Sequence, residues 1–303
     1  MSDDIMGDDV FIHKYSYLGK GAEIWDSISK DYYYNLGERE LSTLEKSIKM
    51  AGSLLGSGKY NIVHLGSGNG VEIPIIVKSL KRGKIAKYFL VDISRQLLSL
   101  AKSFGEAYYK DITFSGFVKD ITGKDTSSFI RGLKQSAREK NLIFLVGNGT
   151  LMSYPTVVCN VAESMDYRDR LFITLEVFDS ARELEILEQY KLPNIIGLFE
   201  SSLSVFDISG TVLNQYHFSY DKGIEQIRVY FNIAKWESDN KRKCKKFIGP
   251  LKEKVLVFTS YRPTAKHLKE YLIGKGFEIV KFSHFAKEHC CGVLCRIKGK
   301  NNE

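Results

Sequence analysis

The stretch that decides the fold is Asn61–Gly70, NIVHLGSGNG, in which a short apolar strand runs into three glycines at alternate positions. Glycine reaches positive φ without strain and lets the backbone approach a ligand without an intervening Cβ. The helical pattern that follows completes a strand–turn–helix unit, a common binding place for nucleotide-like ligands. Because tight corners between strand and helix also favour glycine, the neighbouring sequence has to decide between the two readings.

The spacing of the glycines separates two classes of nucleotide-binding protein. The dinucleotide fingerprint requires its third glycine at the position of Val71. The alternation seen here instead resembles the S-adenosylmethionine (SAM) loop of class I methyltransferases. That resemblance implies SAM as cofactor, S-adenosylhomocysteine (SAH) as product, and contacts to SAM from Gly66, Ser67, Gly68 and Gly70.

Acidic residues follow the next two predicted strands. The segment YFLVDIS places Asp92 at the end of one strand, before a helix that Ser94 caps. A carboxylate there suits a ribose diol, because it accepts two O–H donors, and it also complements the dipole of the helix. The strand Thr113–Val118 ends before Asp120 and Ile121, where methyltransferases commonly hold adenine with an acidic and an apolar side chain.

A fourth strand, Asn141–Val146, leads into Gly147 and Asn148. Ligands of open α/β sheets bind beyond the carboxyl ends of the strands, so we expect Gly147, like Ile93, to contact the cofactor and Asn148 to face the acceptor. An asparagine before glycine is equally well explained as a turn residue. The loop lacks the N/D-P-P-Y/F signature of methyltransferases that act on nucleic acid bases, which argues against a base as acceptor.

Composition and cysteine usage set outer limits. The chain has 303 residues, 44% of them hydrophobic, which is enough for a large core and more than a bare methyltransferase domain. No apolar run has transmembrane length and the acidic start is no signal peptide, so a soluble cytoplasmic protein is predicted. The odd number of cysteines, five, favours reduced thiols. The spacings among His284, His289, Cys290, Cys291 and Cys295 match no common zinc pattern, so no metal site is predicted.

The net charge of +8 and the basic run Lys241–Lys246 raise the question of a nucleic-acid partner. This run contains no interleaved aromatic residue and lies between two predicted strands, as a solvated loop does. Elsewhere the basic residues are dispersed among acidic ones. The sequence therefore argues against nucleic acid and leaves a small anionic substrate or simple solubility as explanations.

The order of elements predicts an α/β fold in three parts. Residues 1–58 form an N-terminal helical cap, residues 59–190 and 262–303 a SAM-binding domain, and residues 191–261 an inserted α+β substrate domain. The main sheet is expected to be Rossmann-like, as in class I methyltransferases, and to end in an antiparallel hairpin.

Alternating apolar residues support the predicted insertion and the predicted closing hairpin of the main sheet. In the insertion, the patterns over 216–220 and 227–233 and the run 254–260 predict three antiparallel strands. After it, residues 277–285 and 292–298 predict the closing hairpin.

Several motifs together resemble the histidine Nα-methyltransferases of ergothioneine biosynthesis. The matching segments are Ile24–Glu40, His64–Gly68, Val91–Ser94, Phe144–Asn148 and Glu188–Tyr190. In that family, tyrosines hold the substrate carboxylate and a loop asparagine holds the α-amino group. The resemblance implies that Tyr34 or Tyr33, together with Tyr190, binds the carboxylate and that Asn148 binds the amine.

The chain departs from this family at two places. The family motif E-x-S-x-K corresponds to Phe258–Arg262, so Ser260 is kept but Phe258 replaces the glutamate that accepts an imidazole N–H. An unpaired N–H costs about 1–3 kcal/mol, which makes histidine itself a poor substrate. The lysine after the glycine loop is also missing, with Ile73 or Pro74 near its place. Backbone N–H groups would then have to hold the methionine carboxylate.

We therefore expect a SAM-dependent methyltransferase that N-methylates an amino acid or an amino-acid-like small molecule held between two domains. Methyl transfer is an in-line displacement that depends mainly on alignment, and Asn148, which can accept from the amine, is the catalytic candidate. Two alternatives remain open: a methyltransferase acting on RNA or protein, docked through Lys241–Lys246, and a relative that binds SAM or SAH without turnover.

Overall fold

The computed structural model describes residues 5–6, 9–10, 12–30, 35–136, 138–147, 155–240 and 254–299. The helices are α1 (Lys20–Lys30), α2 (Asn35–Ala51), α3 (Ile73–Leu80), α4 (Arg95–Tyr108), α5 (Thr126–Gly132), α6 (Pro155–Ser164), α7 (Glu183–Gln189), α8 (Pro193–Ser204), α9 (Ile233–Asn240) and α10 (Ala265–Gly274). The strands are β1 (Ile5–Met6), β2 (Asp9–Val10), β3 (Tyr60–Leu65), β4 (Ile85–Asp92), β5 (Thr113–Val118), β6 (Asn141–Val146), β7 (Arg170–Glu176), β8 (Tyr216–Asp221), β9 (Gln226–Asn232), β10 (Lys254–Tyr261), β11 (Phe277–Phe285) and β12 (Cys290–Ile297).

The main sheet has seven strands in the order β11-β12-β7-β6-β3-β4-β5. The strands from β7 to β5 are parallel, whereas β12 is antiparallel to both β7 and β11. The predicted α/β sheet with its closing hairpin is therefore confirmed. The strand order reverses between β3 and β6, and ligands of such sheets bind beyond the carboxyl ends of the strands at this point.

The central strands are apolar along their whole length because helices cover both faces of a parallel sheet. Every residue of β3 is buried, and so is almost every residue of β6 and β7. On one face α2, α3 and α4 bury a single cluster that includes Leu44, Ile76, Tyr88, Phe144 and Phe172. This packing holds the helices that start at the carboxyl ends of β3 and β4.

The chain divides into two compact units. The main unit comprises Tyr32–Phe178 and Pro263–Glu303, and the smaller unit comprises Met1–Asp31 and Asp179–Arg262. The three-part division expected from the sequence, with boundaries near residues 58, 190 and 261, stays a prediction. Among the described residues, no helix combines the length and the apolar character needed to cross a bilayer.

The smaller unit contains the antiparallel sheet β10-β9-β8, so the three predicted strands are confirmed. The prediction that the second strand runs through Ile233 is wrong, because the chain turns into α9 at that residue. Asn232 Oδ1 accepts the N–H of Lys235 at 2.9 Å, a cap that ends the strand pattern. The buried Trp236 then donates from its indole to the carbonyl of Ser209 at 3.1 Å.

The packing of α4 against the sheet gives a test of the core. A Cβ on Gly105 would lie 2.5 Å from the ring of Phe114, whereas a Cβ on Gly132 at the end of α5 meets nothing within 4 Å. We expect Gly105→Ala to lower the free energy of unfolding by about 1–3 kcal/mol through overpacking. The matched control Gly132→Ala should leave it unchanged or raise it by up to about 1 kcal/mol. Urea unfolding followed by circular dichroism measures both, and equal stabilities of the two variants would contradict this packing.

Candidate active site

The glycine turn joins β3 to α3 in a conformation that favours glycine. Gly66, Gly68 and Gly70 have φ values of 66°, 51° and 81°, in the left-handed region that favours glycine. A Cβ on Gly70 would lie 2.7 Å from Ile73 Cδ1 and 2.9 Å from Ala101 Cβ. The turn is therefore kept small so that α3 and α4 can pack closely behind it.

Hydrogen bonds tie the turn to the end of β4. The backbone N–H groups of Gly66 and Ser67 donate to the carbonyl of Val91 at 2.8 and 3.1 Å. The buried side chain of Asp92 completes the tie, since its Oδ2 accepts the N–H of Gly68 at 2.8 Å. The structure thus brings together the glycine turn and the first acidic residue that the sequence singles out.

Asp92 also holds the start of the next helix. Its Oδ1 accepts the N–H of Ser94 at 2.8 Å, and Ser94 Oγ in turn caps α4 by accepting the N–H of Leu97. Burial raises the pKa of Asp92, and the N–H groups of Ser94, Gly68 and Ile93 oppose this rise. Because each carboxylate oxygen can accept more than one hydrogen bond, ribose hydroxyls can still be accommodated, and the ribose role of Asp92 stays a prediction.

The loop predicted to hold adenine lies beside this carboxylate. The N–H of Lys119 donates to the carbonyl of Asp92 at 2.9 Å. Asp120 Oδ1 accepts both the N–H and the hydroxyl of Thr122, at 2.9 and 2.6 Å, and the side chain of Ile121 is buried. The adenine contacts of Asp120 and Ile121 stay predictions, now with a defined loop conformation.

Asn160, which the sequence analysis missed, positions this loop. Its Nδ2 reaches from α6 to the carbonyls of Ile121 and Gly123, at 3.3 and 3.1 Å. No local pattern reveals such a contact, because it joins residues almost forty positions apart on separate elements.

Within the described part of the chain, two buried polar atoms next to the turn have no hydrogen-bond partner: Nε2 of His64 and Oγ of Ser67. Burial lowers the pKa of His64 to about 4, so the imidazole is neutral, and its Nδ1 lies 3.2 Å from the hydroxyl of Tyr88. Leaving a buried donor or acceptor unsatisfied costs about 1–3 kcal/mol. A polar ligand at the turn would remove this cost, which makes the unpaired atoms an indication of a binding site.

Glu72 stands at the start of α3, directly after the glycine turn. Burial raises the pKa of Glu72 to about 7, and the neighbouring Asp92 carboxylate adds to this rise. A hydrogen bond from the backbone N–H of Glu72 itself opposes it. In the described part of the chain, no hydrogen bond from another residue and no ion pair reaches the Glu72 side chain. The sequence pattern alone does not single out Glu72, because an acid at a helix start is an ordinary feature.

Helix α2 contacts the carboxyl ends of β6 and β7 through two charged side chains, Arg39 and Glu40. Glu176, fully buried at the end of β7, pairs with Arg39 of α2 at 3.2 Å. At the end of β6, Gly147 has φ of 86° and donates its N–H to the carbonyl of Thr174 at 2.8 Å. A Cβ on Gly147 would lie 3.2 Å from Glu40 Oε2, a tight contact that adds to the preference for glycine set by the positive φ.

The predicted substrate residues fall into two groups. Tyr33, Tyr34 and Asn148 lie outside the described residues, as does the basic run 241–246. Tyr190, Phe258 and Ser260 belong to the smaller unit, and all of them are buried.

Tyr190 and Phe258 have defined partners within the smaller unit. The hydroxyl of Tyr190 accepts a hydrogen bond from Nη2 of Arg262 at 2.8 Å. The ring of Phe258 packs against His13, Tyr190 and Phe199, with centroid distances of 4.1, 5.2 and 5.3 Å. The sequence analysis named Arg262 only as part of a motif, and its pairing with Tyr190 depends on the fold.

The cysteine-rich segment at the end of the chain is part of the main sheet. Cys290, Cys291 and Cys295 are buried on β12. Over the described ranges, no group of three or more His, Cys, Asp or Glu side chains is arranged to hold a metal ion.

A family model described as "Histidine-specific methyltransferase, SAM-dependent" matches residues 9–191, more than half of the chain. The chain belongs to the histidine-specific, SAM-dependent methyltransferase family. It is therefore a SAM-dependent methyltransferase, as the glycine turn and the motifs around it predicted. No curated protein matches the sequence.

Solved structures agree with this fold. Magnesium protoporphyrin IX methyltransferase from Synechocystis PCC 6803 with bound SAH has a TM-score of 0.50 at 12% identity, over 95% of this chain and 98% of that chain. The same protein with bound SAM gives 0.47 at 10% identity, over 95% of both chains. A SAM-dependent methyltransferase from Clostridium acetobutylicum ATCC 824 gives 0.43 at 10% identity, over 85% and 92%. At these identities the likeness shows the class I fold alone.

The residues present fit the cofactor that the family requires. The glycine turn gives close backbone approach, Asp92 and the loop at Asp120 would hold the adenosine part, and the unpaired atoms of His64 and Ser67 offer polar contacts. SAM supplies a methyl group activated by a sulfonium. The protein therefore needs no strong acid at the site and mainly has to align the acceptor and exclude water.

The central tie at Asp92 can be tested by Asp92→Asn. The amide offers one acceptor where the carboxylate offers two, so either Gly68 or Ser94 loses its partner. We expect SAM affinity to fall about tenfold or more, measured by calorimetric titration. The control Asp111→Asn changes an exposed carboxylate and should bind SAM as the wild type does. Unchanged affinity of Asp92→Asn would show that this carboxylate does not organise the site.

Glu72 predicts a specific pH dependence of stability. Because its pKa in the folded protein is about 7, against an ordinary value of 4.5, its contribution to stability is fully present below pH 4.5 and is lost as the pH rises through 7. Glu72→Gln should therefore raise the free energy of unfolding by about 1–3 kcal/mol at pH 8 and have little effect at pH 5. Urea unfolding at both values measures this, with Glu106→Gln on the exposed face of α4 as the control. A variant no more stable than wild type at pH 8 would contradict the burial of this carboxylate.

Proposed function

We propose that this methyltransferase N-methylates an amino acid or an amino-acid-like small molecule, and that Tyr190 and Arg262 bind the carboxylate of that acceptor. The single observation that carries the proposal is the hydrogen bond of 2.8 Å between the Tyr190 hydroxyl and Arg262 Nη2, both in the smaller unit. The resemblance to histidine Nα-methyltransferases supports the same role for Tyr190.

The chemistry of this pair suits a carboxylate. The planar guanidinium of Arg262 matches the geometry of a carboxylate better than an ammonium does. The Tyr190 hydroxyl accepts from Arg262, so its own proton is directed to another acceptor. Together the two side chains present adjacent donors, which an acidic group of a small molecule can bridge.

The residues next to Tyr190 and Arg262 disfavour histidine as the acceptor. Phe258, Ser260 and Arg262 alternate along and just beyond β10, and Tyr190 contacts both Phe258 and Arg262. Where the family glutamate would accept an imidazole N–H, the Phe258 ring packs among other rings. The donor would remain unpaired at a cost of about 1–3 kcal/mol, so an apolar or aromatic side chain on the acceptor is favoured.

The reaction requires a neutral amine aligned with the methyl group. Loss of a proton from the amine is favoured by a desolvated site. Asn148 stays the predicted residue that accepts from the amine, and Tyr33 and Tyr34 stay predicted carboxylate ligands. A cytoplasmic location and the absence of a nucleic-acid partner also stay predictions.

An acceptor screen tests the proposal directly. The purified chain is incubated with SAM and pairs of compounds that differ only by the carboxylate, such as phenylalanine and phenethylamine or histidine and histamine. Mass spectrometry should detect the gain of CH2 on an amino acid and none on its decarboxylated partner. Methylation of RNA or protein, equal reaction of acid and amine, or no product from any amino acid would overturn the proposal.

Tyr190→Phe tests the carboxylate contact. Removing the hydroxyl takes one donor from the acceptor and one acceptor from Arg262, so KM for the acceptor should rise about tenfold while KM for SAM stays the same. Steady-state kinetics with the acceptor found in the screen measure this. Tyr167→Phe, an exposed tyrosine of the main unit, serves as the control. An unchanged KM for the acceptor would show that Tyr190 does not bind it.

A further inference from the structure

Glu72 is an acidic side chain in the cofactor site without a cation to balance it. It follows the glycine turn, begins α3 and lies close enough to Asp92 for the two carboxylates to repel each other. Among the described residues, none pairs with it. Since the chain carries a net charge of +8, cations are plentiful, yet none is placed here.

A charged partner for Glu72 is therefore expected from the cofactor. SAM carries a sulfonium, an α-ammonium and a carboxylate. The carboxylate would repel Glu72, and the sulfonium has no N–H to donate. The ammonium carries three N–H donors and a full positive charge, which is what an unpaired carboxylate accepts best.

The ribose is a weaker match for the same side chain. Its hydroxyls are neutral and leave the repulsion between two neighbouring carboxylates in place. Asp92 already lies at the end of β4, next to the loop that would hold adenine. Glu72 lies four residues beyond Gly68 along the turn, at the start of the helix, so it is free to serve the amino-acid end of the cofactor.

We propose that Glu72 binds the α-ammonium group of the methionine part of SAM. The inference rests on the SAM dependence of the family and not on the identity of the acceptor. It also accounts for the missing family lysine: the chain holds the zwitterionic end of SAM by its cation instead of by its carboxylate.

The proposed contact would couple the binding of SAM to the loss of a proton from Glu72. The pKa of Glu72 near 7 means that the empty site is partly protonated at neutral pH, and the ammonium would lower that pKa and expel the proton. The titratable groups that the structure places near Glu72 are Asp92 and Tyr88, both on β4, and Tyr88 stays protonated because burial raises its pKa. Affinity for SAM should therefore increase from pH 6 to pH 8 and then level off.

Three ligands that carry different groups distinguish the possible contacts of Glu72. SAH keeps the ammonium and lacks the sulfonium, while 5′-methylthioadenosine keeps only the adenosine part. Calorimetric titration of wild type, Glu72→Gln and the control Glu106→Gln with SAM, SAH and 5′-methylthioadenosine needs no acceptor. For Glu72→Gln we expect affinity for SAM and SAH to fall about 10- to 100-fold, with 5′-methylthioadenosine unchanged and the pH dependence lost.

Other outcomes would overturn the proposal. Equal loss for all three ligands would place Glu72 at the ribose, and loss for SAM alone would place it at the sulfonium. Unchanged binding would show that it contacts neither. Circular dichroism confirms that the variant is folded, and Glu72→Asp, which keeps the charge on a shorter side chain, should retain the rise of affinity with pH. Binding of SAM without methylation of any amino acid would refute the proposed acceptor and leave this inference standing.

Discussion

The carboxylate of Asp92 is the constraint on which the site depends. It accepts the N–H of Gly68 from the glycine turn and the N–H of Ser94 from the start of α4, and its own carbonyl accepts the N–H of Lys119. Three loops at the carboxyl ends of β3, β4 and β5 are thereby held by one residue. A buried carboxylate is costly to desolvate, and the backbone N–H groups offset much of that cost. Gly68, whose N–H donates to Asp92, has a φ of 51°, a conformation that glycine adopts without strain.

The charged side chains at the glycine turn are opposite in sign to the net charge of the chain. A protein with a net charge of +8 places Asp92 and Glu72 near each other at the glycine turn, where we propose that the cationic cofactor binds. In the smaller unit the local charge has the opposite sign, since the cationic Arg262 is buried beside Tyr190. This difference matches the two ligands that we propose: the cationic end of SAM at the glycine turn, and the carboxylate of the acceptor in the smaller unit.

Strands were easier to predict than the contacts between elements. The bounds of β5, β6 and β11 agree with the sequence patterns. In β6 the reason is that a buried central strand is a continuous apolar run. The strand prediction failed at Ile233, where the alternation continued but the Asn232 side chain capped a helix instead. Periodicity describes which faces are buried, whereas a single capping hydrogen bond decides where the chain turns.

The sequence by itself determined the glycine turn, the acid at the end of β4 and the family, because these depend on residues close together in the chain. The tertiary structure alone decided how the site is supported and charged. Asn160 reaches the loop at Ile121 from another helix, and Arg262 meets Tyr190 from seventy-two positions away. Glu72 has an ordinary pattern as a helix-start acid, and only the fold partly buries it and brings it near Asp92. Hydrogen bonds and desolvation act between residues that are neighbours in space, and short sequence patterns do not show which residues those are.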